Sequence, residues 1–365
     1  MKLLVLSRYD AAGASSRYRA LQYFDYLELQ GVEITFRPLL DHVHLQRAFK
    51  NKKKSFSYLF YRYLKRALFL LFQKSKYDLA YITDGELFPF LPFGLEQFFL
   101  PKKYVVDYDD AVFHYYDMHR WKKCRQLLSG KIPNIMRRAQ HVIVGNDYVY
   151  QKAMAFGAKK ITAIPTVVDM EKYKPLGQPG IEEKEVVIGW VGSPTTLRHL
   201  ALIDKALIAL SKKIKIRVSV IGGIHAIPGV QMECENWPQG WNEAEEIALL
   251  QKVDIGIMPL IDEPWERGKC GFKLIKYMSC AKPMVASPVS INAQIVESGK
   301  NGYLADSLEE WEECLFRLAV DPELRTTMGR CARDKGLQEY SLERAAPLLL
   351  TILQSAMQGE GSQSG

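Results

Sequence analysis

Residues 186–223, "VVIGWVGSPTTLRHLALIDKALIALSKKIKIRVSVIGG", hold the pattern that decides the fold. An apolar run at 186–192 ends on Gly192 and Ser193, and a second apolar run occupies 216–223. Between them the apolar residues recur at helical spacing. A buried strand, a glycine turn, a helix and another strand make the repeating unit of a parallel sheet.

The same alternation extends in both directions. Towards the C-terminus the strand candidates are 254–260, 283–287 and 302–305. Towards the N-terminus they are 2–7, 33–39, 79–83, 104–109, 141–146 and 161–166. The two series are separated by 165–185, rich in Pro, Gly and charge and poor in periodicity, which reads as a linker. The expectation is therefore an α/β chain of two tandem Rossmann-like, doubly wound parallel-sheet domains facing a cleft, at 1–168 and 186–340, joined by 169–185. A helix at 341–358, with the option of packing back on the first domain, and a frayed tail at 359–365 complete it. In such sheets ligands bind at the carboxyl ends of the strands.

Composition narrows the class. With 365 residues, 48% hydrophobic and 25% charged, the chain has the make-up of a globular protein with room for two cores. The apolar run Leu3–Leu6 is too short for a signal-peptide core, and no stretch is apolar enough for a spanning helix. The six cysteines, at 124, 234, 270, 280, 314 and 331, form no CxxC pair, which argues against disulfides and zinc and for the cytoplasm. The net charge of +8 is concentrated: 42–77 contains no acidic residue and ten Lys/Arg, so the remainder is slightly acidic.

Within that basic segment, 50–76 is also aromatic and leucine-rich. On a helix Ser55, Arg62, Lys65, Arg66 and Gln73 form a narrow polar stripe beside a wide apolar arc. Exposed, it would lie on an anionic membrane surface, with Arg62, Lys65 and Arg66 as contacts. Buried, it is a core helix with one wet edge. No nucleic-acid-binding motif accompanies the charge.

Four further places carry candidate chemistry. In the first turn, Gly13 allows close backbone approach, Ser15 or Ser16 can cap a helix, and Arg17 and Arg19 oppose the dipole of its first turn. An anionic partner would explain both arginines; a capped helix with solvated arginines is the plainer account. Asp107, Asp109 and Asp110 cluster at a strand end, either as catalytic groups, with Asp107 and Asp110 foremost, or as strand-terminal caps. A metal there is the weaker version, since lysines already supply positive charge. Gly192, Ser193 and Arg198 open a helix that can face a phosphate. The richest stretch, "RGKCGFKLIKYM" at 267–278, places Arg267, Lys269, Lys273 and Lys276 around Cys270 and Gly271, a set suited to phosphates. A solvated basic face is its alternative.

Taken together, "GFKLIKYMSCAKPMVASPV" and "IVESGKNGYLA" within 271–305, with "GASSRYR" (13–19), "DYDDAVF" (107–113), "HVIVGND" (141–147) and "IPTVVDMEKYKP" (164–175), resemble GT-B glycosyltransferases of the family 4 kind, the glycosyl transferases group 1. The resemblance implies retaining transfer of a sugar from a nucleotide-diphosphate sugar to a glycan or lipid-linked acceptor, in polysaccharide or glycolipid biosynthesis. It implies no obligatory cofactor or metal, a donor held by the second domain, an acceptor held by the first, and closure of the linker. Lys269 and Lys273 would stabilise the leaving diphosphate. The chain departs from the family where a glutamate usually holds the ribose and Lys276 stands instead. Gly268 occupies the place of the glutamate on the sugar, a contact that Glu266 could assume. Ala281 replaces a common helix-ending glycine. A nucleotide-sugar epimerase or hydrolase, or a catalytically degenerate binding protein on the same fold, are the competing readings.

Overall fold

The structure, a computed structural model, describes residues 1–42, 44, 56–175, 185–236 and 241–358. It divides into two compact units. The first comprises Met1–Thr166, Gly268–Cys270 and the chain from Leu342; the second comprises Val167–Arg267 and Gly271–Ser341.

The first unit is built on β1 (Lys2–Tyr9), β2 (Glu33–Leu40), β3 (Leu79–Thr83), β4 (Tyr104–Tyr108), β5 (His141–Val144) and β6 (Ile161–Ala163). Their order is β2-β1-β3-β4-β5-β6, with every neighbour parallel. β3 and β4 are buried along their whole length, as strands covered on both faces must be, and this is why they read as continuous apolar runs. The helix Leu342–Gln358 lies against β3 and β4, burying Ala345, Leu349 and Leu353, and Lys103 Nζ donates to the Met357 carbonyl at 2.5 Å.

The helix Phe56–Gln73 lies on this unit with Arg62 and Arg66 of its polar stripe turned inwards. Arg66 is buried and donates to the carbonyls of Ser7 (2.8 Å), Leu87 (3.2 Å) and Arg37, while Arg62 reaches those of Leu39 (2.7 Å) and Pro38 (3.2 Å). Arg66 is thus no surface charge, and Arg62 is largely committed to backbone; of the three expected membrane contacts only Lys65 is exposed. Ser55 and the basic residues 47, 50 and 52–54 lie outside the described residues.

The second unit carries β7 (Val186–Val191), β8 (Ile216–Ile221), β9 (Gln231–Glu235), β10 (Ile255–Met258), β11 (Met284–Ala286) and β12 (Gly302–Leu304). The order is β12-β11-β10-β7-β8-β9, again parallel throughout. β9 was not expected. It is an edge strand, "QMECE", with no fully buried position, so it has no apolar run to reveal it.

The first part of the expected linker is packed. Val167, Val168, Met170 and Tyr173 are buried, Val168 bridges to Ser341, and Arg333 donates to the carbonyls of Met170 and Tyr173. Residues 176–184 of that linker and the tail 359–365 lie outside the described residues.

Candidate functional site

In the second unit, β7 lies between β10 and β8 and delivers the chain at its carboxyl end into Gly192 and Ser193. Pro194 at the first helical position presets the backbone angle, and a 3-10 helix runs Pro194–Ile203. A Cβ at Gly192 would fall 2.3 Å from Lys273 Nζ and 2.6 Å from the Trp190 ring, so only glycine lets the ammonium lie against this turn. Lys273 Nζ also sits 4.5 Å from the Trp190 ring centroid and 3.5 Å from Thr196 Oγ1. The Ser193 and Thr195 hydroxyls are 2.8 Å apart at the same turn.

Lys273 comes from the helix Phe272–Ser279, which starts after Gly271 in the left-handed region (φ +66°). A cation in the first turn of a helix opposes the dipole, and here the Trp190 ring and the Thr196 hydroxyl lie beside it. At the other end Ala281 stands at φ +55°, the conformation for which the common glycine is suited.

Two residues beyond Thr196, Arg198 pairs with Glu266 Oε1 while its side chain stays 63% exposed. Glu266 itself is buried, its Oε1 lies 3.5 Å from His199 Nε2, and among the described residues its Oε2 has no hydrogen-bond partner. A buried carboxylate oxygen without a donor is costly, and a ligand hydroxyl would satisfy it. Arg267 is held by Asp262 at 2.6 and 3.0 Å, on its own loop.

Lys276 corrects the expectation of a phosphate contact. Its Nζ is buried, bonded to Glu246 Oε1 at 2.6 Å and placed 4.6 Å from the Phe272 ring centroid. Glu246 is held in turn by Trp241 Nε1 (2.9 Å) and the Tyr173 hydroxyl (3.3 Å). Burial without a partner would discharge an ammonium, so the helix face that carries Lys276 inwards requires this carboxylate. Glu246 escaped notice among three glutamates of one helix, although it precedes the buried Leu250 by one turn.

In the first unit the carboxyl ends of β1, β3 and β4 gather the other candidates. The three aspartates do not act as one group. Asp107 is buried against Arg19 at 2.7 Å, and the Tyr81 hydroxyl donates to it as well. Asp109 accepts from the Ser15 hydroxyl at 2.6 Å, and Asp110 lies 3.4 Å from Lys269 Nζ. Arg19 therefore finds its anion inside the protein, at 2% exposure, with a further bond to the Ile164 carbonyl. Neither it nor Asp107 is open to a substrate, which corrects the reading of Arg19 as an anion contact and of Asp107 as a catalytic group. Burial works against the charge on Arg19, but Asp107 holds its pKa above the usual value.

The helix Ala14–Arg19 is capped by Gly13 with no side-chain bond, not by a serine. Ser16 is buried and donates to the Tyr9 carbonyl at 2.6 Å, and Arg17 donates to the carbonyls of Ala11 and Ala12. A Cβ on Gly13 would meet Tyr9 Cβ at 2.5 Å, so this glycine serves close packing of the turn. Burial, then Asp109 and Asp110, push the Cys270 thiol up to about 11. The Lys269 carbonyl accepts from Asn146 Nδ2 at 2.9 Å, and a Cβ on Gly268 would meet Ala111 at 2.3 Å.

One residue of this cluster was missed. Asp84, at φ +61° after β3, has its carboxyl pushed up to about 7 by burial and by Asp109. Only its position after an apolar run, before Gly85, marks it in the sequence.

Residues 185–321 match the sequence profile of the family Glycosyl transferases group 1. Among curated proteins, the D-inositol 3-phosphate glycosyltransferase of Saccharomonospora viridis is 22% identical over 254 residues, which are 61% of this chain and 57% of that protein. The chain thus spans a little over half the length of that relative. Of the solved structures, sucrose-phosphate synthase from Thermosynechococcus elongatus superposes with a TM-score of 0.70 at 14% identity, over 98% of this chain and 100% of that one. Anabaena HepE in complex with UDP-glucose gives 0.67 at 15%, over 97% and 100%. At such identities the likeness is one of fold.

Proposed function

We propose, from the match of residues 185–321 to the glycosyl transferases group 1, that the chain moves a sugar from a nucleotide-diphosphate sugar to a glycan or lipid-linked acceptor. The observation that carries the proposal is Lys273 lying against the Gly192 turn, an ammonium and a helix N-terminus at the carboxyl end of a central strand. In this reading the donor diphosphate sits there, and Lys273 stabilises the charge that grows on the leaving group as the sugar–phosphate bond breaks. Thr196 and Ser193 offer hydroxyls to the phosphates. Glu266 Oε2 accepts from a hydroxyl of the donor sugar, and Arg198 pairs with the other oxygen of that carboxylate.

UDP is the first nucleotide to test, by analogy with HepE, whose structures hold UDP and UDP-glucose. We carry over from the resemblance the retaining outcome, the independence from metal, the acceptor side in the first unit around Ser15, Arg17 and Asp110, and a role in polysaccharide or glycolipid synthesis at the inner face of a membrane.

The test is calorimetric titration of UDP into the chain and into Lys273→Ala. Losing a charge-assisted hydrogen bond costs about 1.5–3 kcal/mol, so the variant should bind roughly ten- to a hundredfold more weakly. Equal affinity in both removes Lys273 from the donor site. Donor turnover in water alone, with no acceptor, would favour the epimerase or hydrolase reading.

A further inference from the structure

The helix Phe56–Gln73 presents to solvent the face that a helix of this composition ordinarily buries. Phe56 is 83% exposed and Phe72 69%, and Phe60, Leu64, Leu68 and Leu71 lie between them, all exposed. At about 100° per residue these side chains cover roughly half the helix circumference, with Ser57, Tyr61 and Lys65 the other exposed positions. A contiguous apolar surface of this kind marks a place where something else is bound.

Along one edge of the exposed arc lies a cavity of about 170 Å³, lined by Arg37, Arg62, Lys65 and Arg66 together with Phe36 and Phe69. Its wall holds four cations and no carboxylate. Asp41 pairs with Arg62 at 3.4 Å, but among the described residues no carboxylate pairs with Arg37, Lys65 or Arg66. Arg37 lies instead over the Phe69 ring, and Arg66 donates only to backbone carbonyls. Burial, with Arg62 alongside, pushes the Arg66 guanidinium down to about 9, as expected of a buried cation that lacks a counter-charge. Lys65 belongs to both features, lining the cavity and standing exposed beside Tyr61, its Nζ 6.0 Å from that ring centroid.

We propose that this flank of the first unit docks on a bilayer, the cavity receiving the phosphate of an anionic lipid headgroup while the outer face of the helix lies among the acyl chains. The proposal goes beyond the donor chemistry and does not depend on it. Charge selects the occupant. A second copy placed on the same apolar face would bring two cationic edges together, whereas an anionic leaflet supplies both the apolar layer and the counter-charge. The absence of any acidic residue across 42–77, with lysines at 50, 52, 53 and 54 just ahead of the helix in sequence, points the same way.

The experiment is sedimentation of the full chain with vesicles of phosphatidylcholine alone and of phosphatidylcholine mixed equally with phosphatidylglycerol. The chain should partition onto the mixed vesicles and not onto the neutral ones. Arg37→Ser with Lys65→Ser, both exposed positions, should lower the partition coefficient about thirtyfold, from the usual worth of two surface charges. Phe60→Ser with Leu64→Ser and Phe72→Ser should abolish binding with the circular dichroism unchanged. Unaltered UDP affinity in these variants keeps the result separate from the donor site. Equal partition of the charge variant and the parent overturns the proposal. So does displacement by inorganic phosphate at matched ionic strength, which would make the cavity a site for the free anion. A dimer that the Phe60, Leu64 and Phe72 changes dissociate would give the apolar face to a second copy instead.

Discussion

Arg19→Met separates the structural and the chemical accounts of the first unit. Arg19 and Asp107 each have 2% of their side-chain surface exposed and meet at 2.7 Å, through Nη2, with Nε also within 3.2 Å of both carboxylate oxygens. Removing the guanidinium leaves a carboxylate in the core with, among the described residues, the Tyr81 hydroxyl as its remaining side-chain donor, and takes a donor from the Ile164 carbonyl. Breaking a buried pair from one side costs about 3–5 kcal/mol. Hydrogen exchange is the suitable assay because it reads β3 and β4 individually, and a chain of two units gives no single unfolding free energy. The amides of 79–83 and 104–108 should exchange roughly two to three and a half powers of ten faster. Asp107→Asn should do the same, and Arg19→Met combined with Asp107→Leu should recover most of the protection, since apolar side chains can replace a buried pair at little cost. The Tyr81 hydroxyl keeps the residue 19 carbonyl, 2.8 Å away, as a partner in that double variant. Unchanged exchange in Arg19→Met refutes the reasoning. Loss of turnover in Asp107→Asn with exchange unchanged would return Asp107 to the chemistry.

Two further outcomes test particular residues. Ala281→Gly should stabilise the second unit by about 1 kcal/mol, read as slower exchange in the helix Phe272–Ser279, because Ala281 holds a left-handed backbone that glycine adopts without a Cβ clash; faster exchange would mean that the conformation carries no strain. Asp84 binds its proton more tightly in the folded state, at about 7, than an unfolded aspartate at about 3.9. The first unit should therefore lose stability as pH rises through that window, and Asp84→Asn should flatten the dependence; an equally steep profile in the variant would assign it to another group.

Among the described residues eleven of the twelve strands were expected from the sequence, most plainly "LAYIT" and "VVIGWV", because a strand covered on both faces must be apolar along its length. β9, on the sheet edge, carries no such mark. The same local logic put Lys273 in the first turn of a helix, whereas Ala281 was marked by the family resemblance and the approach of Lys273 to the Gly192 turn is tertiary. The partners of the buried charges followed no local rule. Arg19 meets Asp107 across 88 residues, and Lys276 meets Glu246 across 30. Composition shows that a cation is present; whether it faces a ligand or a carboxylate depends on which side chains the sheet and its helices bring within bonding distance. The helix Phe56–Gln73 makes the point most sharply. Its stripe and its arc are plain in the sequence, but only the backbone carbonyls of Ser7, Arg37 and Leu87, converging beneath it, decided that Arg66 turns inwards while Phe56, Phe60 and Phe72 face out.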